Sequence, residues 1–325
     1  MVQRAERVLV TGGAGFIGSH LVDRLLADGR AELVVFDNLS RGRLANLARH
    51  QRDRRLTVVS GDVRDAAAVA AVLHGVGTVY HLAARARDRD AAADVDDTFA
   101  TNVVGTFNVL RAAVHQAVSR LIFASSPEAY GEPAVLPVDE GQPLVGIGAY
   151  GASKVAAEAY CRAFRQIFGL PTVILRFAHV YGPRDYGRPI PVWLERAAAG
   201  HALDVYGEKQ VVDFVWVGLA VEALVRAAAL DGPLPAINVA SGTGTRVVDV
   251  ARRIAHLAGS QSPIRILPAR PAEVRRFVAN VERMRQLLAI EPPLDPLAHL
   301  PRLIPARAAP HRTAPRARPV PGAGR

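Results

Sequence analysis

The chain has a single cysteine, Cys161, among its 325 residues. One thiol cannot support a disulfide framework, and a reducing compartment is the default for such a chain. Long apolar runs are missing too. No stretch is long enough to span a bilayer, and "MVQRAERVLVTGG" lacks the apolar centre of a secretory leader. A soluble cytoplasmic protein without a membrane partner is the expectation. Residues 301–325 contain no acid. They hold Arg302, Arg307, Arg312, Arg316, Arg318 and Arg325, six of the ten net positive charges of the whole chain. So Pro-, Ala- and Arg-rich a segment has too little apolar surface to bury and reads as a disordered basic tail. Once that tail is set aside, the net charge no longer argues for a nucleic-acid partner. Internal repeats are absent, and no metal site is expected.

Half the residues are apolar, enough for a sizeable core. They fall in alternating patterns. "RVLVTG", "ELVVFD", "LTVVSGD", "TVYHLAA", "LIFASS" and "TVILRF" read as buried parallel strands, some ending at glycine or aspartate. "FIGSHLVDRLLADG", "NVVGTFNVLRAAVHQAV" and "YGASKVAAEAYCRAFRQIF" have helical spacing. Strand and helix in turn predict an α/β fold, a Rossmann-type doubly wound parallel sheet. The boundaries expected are a nucleotide-binding domain over residues 1–180, a smaller C-terminal α/β substrate region over 181–300, and the tail. The strand at "AINVAS", near 236–240, is expected to return to the first domain.

"TGGAGFIG" puts Gly13, Gly15 and Gly18 in a G-x-G-x-x-G pattern between a strand and a helix. Glycines there let the backbone approach a pyrophosphate, and the free N–H groups of the helix start face negative charge. Asp37 ends the next strand, where a carboxylate accepts from ribose hydroxyls and repels a 2′-phosphate. NAD is therefore expected rather than NADP, although Arg41 and Arg43 follow closely. Asp62, after the third strand, suits either the adenine amino group or the cap of the helix that follows.

Tyr150 and Lys154 lie four apart on one helical face. A free tyrosine pKa of about 10 is too high for a base at neutral pH, and the Lys154 ammonium together with a nicotinamide cation nearby is expected to lower it. The pair is expected to take a proton from a sugar hydroxyl while carbon gives hydride to NAD.

Together with "VFDNLSRG", "GDVRD", "FASSPEAYG", "LRFAHVYGPR" and "NVASGTG", these segments resemble the extended short-chain dehydrogenase/reductase family. The resemblance is to its branch of NAD-dependent nucleotide-sugar epimerases and dehydratases and spans roughly residues 7–290. It implies Tyr150 as base, Lys154 as its electrostatic partner and Ser126 as the hydroxyl that bonds the reacting group. Around NAD it implies Gly12, Gly15, Phe16, Ile17 and Gly18 at the phosphates. Asp37, Asn38, Ser40, Gly42, Asp62 and Val63 belong to the nucleoside end, and Leu82, Ala83, Ala84 and Asn102 complete the shell. Tyr130 resembles a packing tyrosine. For the substrate it implies Ser125, Ser126, His179, Arg184, Arg270 and Glu273, with Arg188 also near.

Several positions depart from the family pattern. Pro127 stands where 4,6-dehydratases have an aspartate, Val212 where an arginine commonly meets a phosphate, Gly218 and Leu219 where acids are usual, and His179 where asparagine is usual. Glu128 has the spacing of the glutamate of dehydratases and decarboxylases. The resemblance implies a C4 epimerase of a UDP- or dTDP-linked sugar, working through a transient 4-keto sugar. The alternatives are a decarboxylase or dehydratase using Glu128, and a non-catalytic NAD-binding regulator. A homodimer built on the helices near Asn102 and Tyr150 is also implied.

Overall fold

The computed structural model of the chain describes residues 6–29, 31–85, 95–232, 234–270 and 274–304. The first half lays down β1 (Glu6–Thr11), α1 (Phe16–Asp28), β2 (Ala31–Asp37), β3 (Leu56–Ser60), α2 (Ala66–Val72) and β4 (Thr78–His81). It continues with α3 (Val95–Phe99), α4 (Gly105–His115), β5 (Arg120–Ser125), α5 (Gly148–Phe168) and β6 (Thr172–Phe177). The second half adds β7 (His179–Tyr181), α6 (Pro189–Ala198), β8 (Leu203–Tyr206), β9 (Val211–Trp216) and α7 (Val217–Ala228). It ends with β10 (Ile237–Val239), β11 (Gly244–Arg246), α8 (Val247–Leu257), β12 (Ile264–Leu267) and α9 (Glu282–Leu288).

Seven strands form one sheet in the order β3-β2-β1-β4-β5-β6-β10, and every neighbouring pair is parallel. This is a Rossmann-type doubly wound fold. The order reverses between β1 and β4, which opens a crevice at the carboxyl ends of those strands. Period-two alternation divides the apolar residues between two layers. Val8 and Val10 of β1 face Leu21, Leu25 and the α7 residues Ala220 and Leu224. Leu9 faces the other way, with Val109 and Leu110 of α4 and Ala157 and Cys161 of α5. A third cluster, around Trp193, Leu203, Phe214, Val248 and Ile254, sits between α6, α8 and the strands after His179. Small sheets β11-β9-β7 and β12-β8 frame it. The chain thus crosses back, since α7 and the residues from Val274 to Ile290 pack on the first layer. No helix among the described residues is long and apolar enough to cross a membrane.

Three local expectations change. The helix before Asn102 begins earlier, at Val95, and passes through a π turn at Ala100–Val104 before α4. The cap of α2 is Asp65, whose carboxylate accepts from the N–H groups of Ala67 and Ala68, so Asp62 does not cap it. The basic tail starts later than 301. Leu300–Leu303 form a 3₁₀ turn because Leu300 is fully buried and Leu303 packs on the third cluster. The rest of that segment, 305–325, lies outside the described residues.

A charge pair is buried between β6 and α5. Arg176 on β6 donates from Nε and Nη2 to both oxygens of Glu158, at 2.9 and 2.7 Å. Its Nη1 donates to the Tyr130 hydroxyl at 2.7 Å, and Ser125 Oγ donates to Glu158 at 2.6 Å. Burial works to raise the Glu158 pKa, but Arg176 overcomes it and holds the carboxyl below its ordinary 4.5. Removing one partner leaves the other charge buried alone, at a cost of about 3–5 kcal/mol. Arg176→Met should lower unfolding stability by that amount in urea titrations at neutral pH. The folded-state pKa of Glu158 is depressed, so its contribution is present above 4.5 and lost as pH falls through the folded value. The gap between wild type and variant should therefore narrow in acid.

Candidate active site

The glycine loop is built by close approach. Gly12 has φ +70°, a region L side chains rarely adopt, and its N–H donates to Phe36 O at 2.8 Å. A Cβ on Gly18 would stand 2.2 Å from Gly12 O, so only glycine lets the first turn of α1 lie against the loop. α1 starts at Gly15 with no side-chain cap, which leaves its first N–H groups turned to the crevice. The cavity there has a volume of about 670 Å³.

At the nucleoside end, Asp37 is buried at the end of β2 and accepts from the N–H groups of Ala14 (3.0 Å) and Leu39 (2.8 Å). Burial raises its pKa, and the two backbone donors oppose the rise. Each carboxylate oxygen keeps capacity for a further donor. A Cβ on Gly42 would sit 2.6 Å from this carboxylate. Asn38 bridges Ser40, whose Oγ donates to it at 2.7 Å, and Asp62, to which it donates at 2.9 Å. Asp62 is held by a two-point contact from Arg64 that lowers its pKa to about 2. Arg64 and Val63 line the cavity, whereas Asp62 is not among its lining residues. Arg43 stacks on the Tyr186 ring, 3.7 Å from its centroid, in the segment after β7.

The cavity continues past Phe16, Ile17, Leu82, Ala83 and Ala84 to Ser125, Tyr150 and Lys154, so the glycine loop and the tyrosine–lysine pair share one space. Asn102 is buried. It accepts from Arg85 N at 2.7 Å and donates to Ser153 Oγ at 2.9 Å, tying the cavity wall to α5. Behind the wall, His81 lies between Thr11 and Thr106, at 2.7 and 3.0 Å. Burial pushes its pKa down to about 3, aided by the Lys154 charge. No motif pointed to His81, because its role is to fill and bond within the core.

The Tyr150–Lys154 pair differs from the expectation in one respect. Lys154 Nζ donates to Ala124 O at 2.7 Å and lies 5.7 Å from the Tyr150 ring centroid. Burial lowers its pKa to about 8. The Tyr150 phenol is pushed up to about 12, first by burial and then by the Glu128 carboxylate; a Ser126 hydrogen bond and the Arg188 charge oppose the rise. The ammonium alone does not make this phenol acidic.

On the substrate side, Glu128 lies in a 3₁₀ turn, Pro127–Ala129, and accepts from Ser126 Oγ. Its carbonyl accepts from Ile147 N at 3.2 Å, and a Cβ on Gly151 would meet that carbonyl at 2.5 Å. His179 Nδ1 is shielded from solvent with no partner among the described residues, and burial lowers the pKa of its ring. Arg184 has φ +63°, pairs with Asp23 at 2.9 Å and lines the cavity with Asp185 and Arg188. Burial raises the Asp185 pKa to about 6. Asp185 and Tyr186 escaped sequence reasoning because their loop has no periodic signal. Arg270 stacks on the Tyr206 ring, 3.6 Å from its centroid, and is not a lining residue. Glu273 lies outside the described residues. Tyr130 packs inward, its hydroxyl donating to Asn238 at 2.7 Å.

An uncapped helix start, a loop that tolerates no Cβ and a ribose-side acid fit a dinucleotide. Residues 8–240 match the NAD dependent epimerase/dehydratase family. The chain is 33% identical to a UDP-glucose 4-epimerase of Mycolicibacterium smegmatis, over 88% of this chain and 93% of that one. It is 31% identical to UDP-glucuronic acid decarboxylase 1 of Danio rerio, over 88% of this chain and 69% of that one. The solved dTDP-glucose 4,6-dehydratase of Streptomyces venezuelae with NAD bound superposes with a TM-score of 0.86 at 30% identity. That match covers 92% of this chain and 95% of that one.

Gly18→Ala should abolish dinucleotide binding in calorimetric titrations, because the added methyl collides with backbone rather than with a movable side chain. Unchanged affinity would refute the loop's role.

Proposed function

The chain belongs to the NAD dependent epimerase/dehydratase family, and on that premise we propose that it is an NAD-dependent nucleotide-sugar epimerase, inverting C4 through a transient 4-keto sugar. The observation that carries this reading is the single cavity joining the glycine loop and Asp37 to Tyr150 and Lys154. NAD, when bound, supplies a reversible hydride acceptor that turns a secondary alcohol into a ketone and back. Gly12, Gly15 and the N–H groups at the start of α1 would hold its phosphates, and Asp37 its ribose. Tyr150 takes the proton of the sugar hydroxyl and later returns it. Lys154, fixed by Ala124 O, keeps a positive charge beside that ring. Arg184 and Arg188 supply cations for the diphosphate of a UDP- or dTDP-linked sugar. Val212 is buried in the third cluster and offers that diphosphate nothing.

A second reading, a decarboxylase or dehydratase, is favoured by Glu128 beside Tyr150 and His179. Pro127 cannot protonate a leaving group, which weakens the 4,6-dehydratase form. Incubation with UDP- and dTDP-sugars separates the readings. An epimer of unchanged mass, formed without stoichiometric added NAD, is the expected product. One lighter by carbon dioxide or water would favour the lyase. Tyr150→Phe should lower kcat about 10²–10⁴-fold, and a variant that keeps full turnover would remove the proposed chemistry.

We also assign the enzyme to the cytoplasm, on the buried thiol of Cys161, and read it as a homodimer. Phe99, Val104, Tyr160, Ile167 and Phe168 are exposed on the neighbouring helical segments α3 to α5, an apolar surface suited to a second copy. Light scattering should give twice the chain mass; a monomer at working concentration would refute the dimer.

A further inference from the structure

We propose that Tyr186 is a cofactor-specificity residue: its ring withholds the Arg43 guanidinium from the Asp37 end of the cavity, and so disfavours a 2′-phosphorylated dinucleotide against NAD. This rests on the placement of the cofactor's ribose at Asp37.

Two opposed signals meet at that end of the cavity. An acid at the end of β2 repels a 2′-phosphate, whereas an arginine nearby binds one. Both are present. Arg43 is rooted beside the acid: its N–H donates to Ala14 O at 3.0 Å, and Ala14 N donates to Asp37 Oδ2 at 3.0 Å. The residue before it is closer still, since a Cβ on Gly42 would stand 2.6 Å from the same carboxylate. A guanidinium on a long stem rooted there can swing to the acid, or to a phosphate bound beside it. It holds a phosphate with two parallel hydrogen bonds.

The side chain goes elsewhere. The Arg43 guanidinium lies over the Tyr186 ring, 3.7 Å from its centroid. Among the described residues, what acts on the Asp37 carboxyl is burial and the backbone N–H groups of Leu39 and Ala14, with no cation. The acid's charge therefore stays uncompensated by the arginine rooted next to it. Arg41, the other cation of this loop, also acts on the segment that carries Tyr186: burial raises the Asp185 pKa, and Arg188 and Arg41 oppose the rise.

The ring is presented by a pinned segment. His20 Nε2 lies 2.9 Å from Pro183 O, and Arg184 pairs with Asp23 at 2.9 Å. These contacts tie the residues before Tyr186 to α1, and the Arg43 stack ties Tyr186 to the loop after β2. Asp37, Gly42, Arg43 and Tyr186 all line the one cavity.

The strength of the stack sets the size of the effect. Tyr186 is 44% exposed. At an exposed site a cation over a ring is favoured by about two- to fivefold over a free one. A 2′-phosphate that recruits Arg43 must first undo the stack, so its apparent affinity falls by that factor. NAD leaves the stack in place. The remaining exclusion belongs to the Asp37 charge.

The test is calorimetric titration of the full chain, freed of nucleotide, with NAD⁺ and with NADP⁺. Wild type is compared with Tyr186→Ala, Tyr186→Phe, Arg43→Ala and the Tyr186→Ala/Arg43→Ala double variant. The readout is the ratio of the two dissociation constants, in which a general loosening of the cavity cancels. Tyr186→Ala should move that ratio about two- to fivefold toward NADP⁺. Tyr186→Phe keeps an aromatic face and should leave it in place. With Arg43 already alanine, removing the ring should change nothing. A ratio unmoved by Tyr186→Ala, or a shift that persists without Arg43, overturns the inference. Asp37→Asn tests the reading beneath it and should also move the ratio toward NADP⁺. No movement there removes the ribose placement and the inference with it. Movement there but none in Tyr186→Ala overturns the inference alone.

Discussion

Gly151 lets the first turn of α5 settle onto the 127–129 turn, and the site depends on that contact. Any side chain at 151 would push into the Glu128 carbonyl. With the contact made, β5 delivers Ser125 and Ser126, the turn delivers Glu128, and α5 delivers Tyr150 and Lys154 to one side of the crevice. The buried Glu158–Arg176 pair anchors the same helix from below, through Ser125 on one flank and Tyr130 on the other. Such pairs contribute little net stability but penalise every arrangement that separates them.

The electrostatics follow from depth. Burial disfavours charge on both Tyr150 and Lys154, raising the phenol to about 12 and lowering the ammonium to about 8. The two shifts have opposite signs and one cause. Lys154 together with a nicotinamide cation was expected to acidify the tyrosine. The Lys154 ammonium donates to a backbone carbonyl, and the Glu128 carboxylate adds to the rise that burial imposes on the phenol.

Much of this was legible in the residues. The alternation of apolar runs with helical spacing made a doubly wound parallel sheet readable, because parallel strands buried on both faces leave a strong local signal. The glycine pattern of Gly13, Gly15 and Gly18 was readable because the loop's backbone demands are strict, and Gly12 entered with the family resemblance. The π turn at Ala100–Val104 was not, since one extra residue in a helical turn leaves no periodic trace. Nor was the role of Arg270, which stacks on Tyr206 through a tertiary contact between distant segments. Asp62 carried two readings with equal force; Asp65 takes the cap, and Asp62 pairs with Arg64, two residues on. The loop bearing Asp185 and Tyr186 has no pattern to read; its shape comes from contacts with Asp23, His20 and Arg43 on other elements.

The edge strand β10 has a consequence for biogenesis. Residues 237–239 complete a sheet whose other strands all precede residue 178, and α7, which covers one face, also comes late. As the polypeptide leaves the ribosome, the six-stranded precursor must wait with β6 unpaired on one side and apolar side chains uncovered. Such unsealed surfaces are where nascent chains associate wrongly. Long-range closure of this kind is slow to form. The nucleotide-binding half is therefore not an autonomous unit of synthesis, and its maturation is coupled to the emergence of the distal segment.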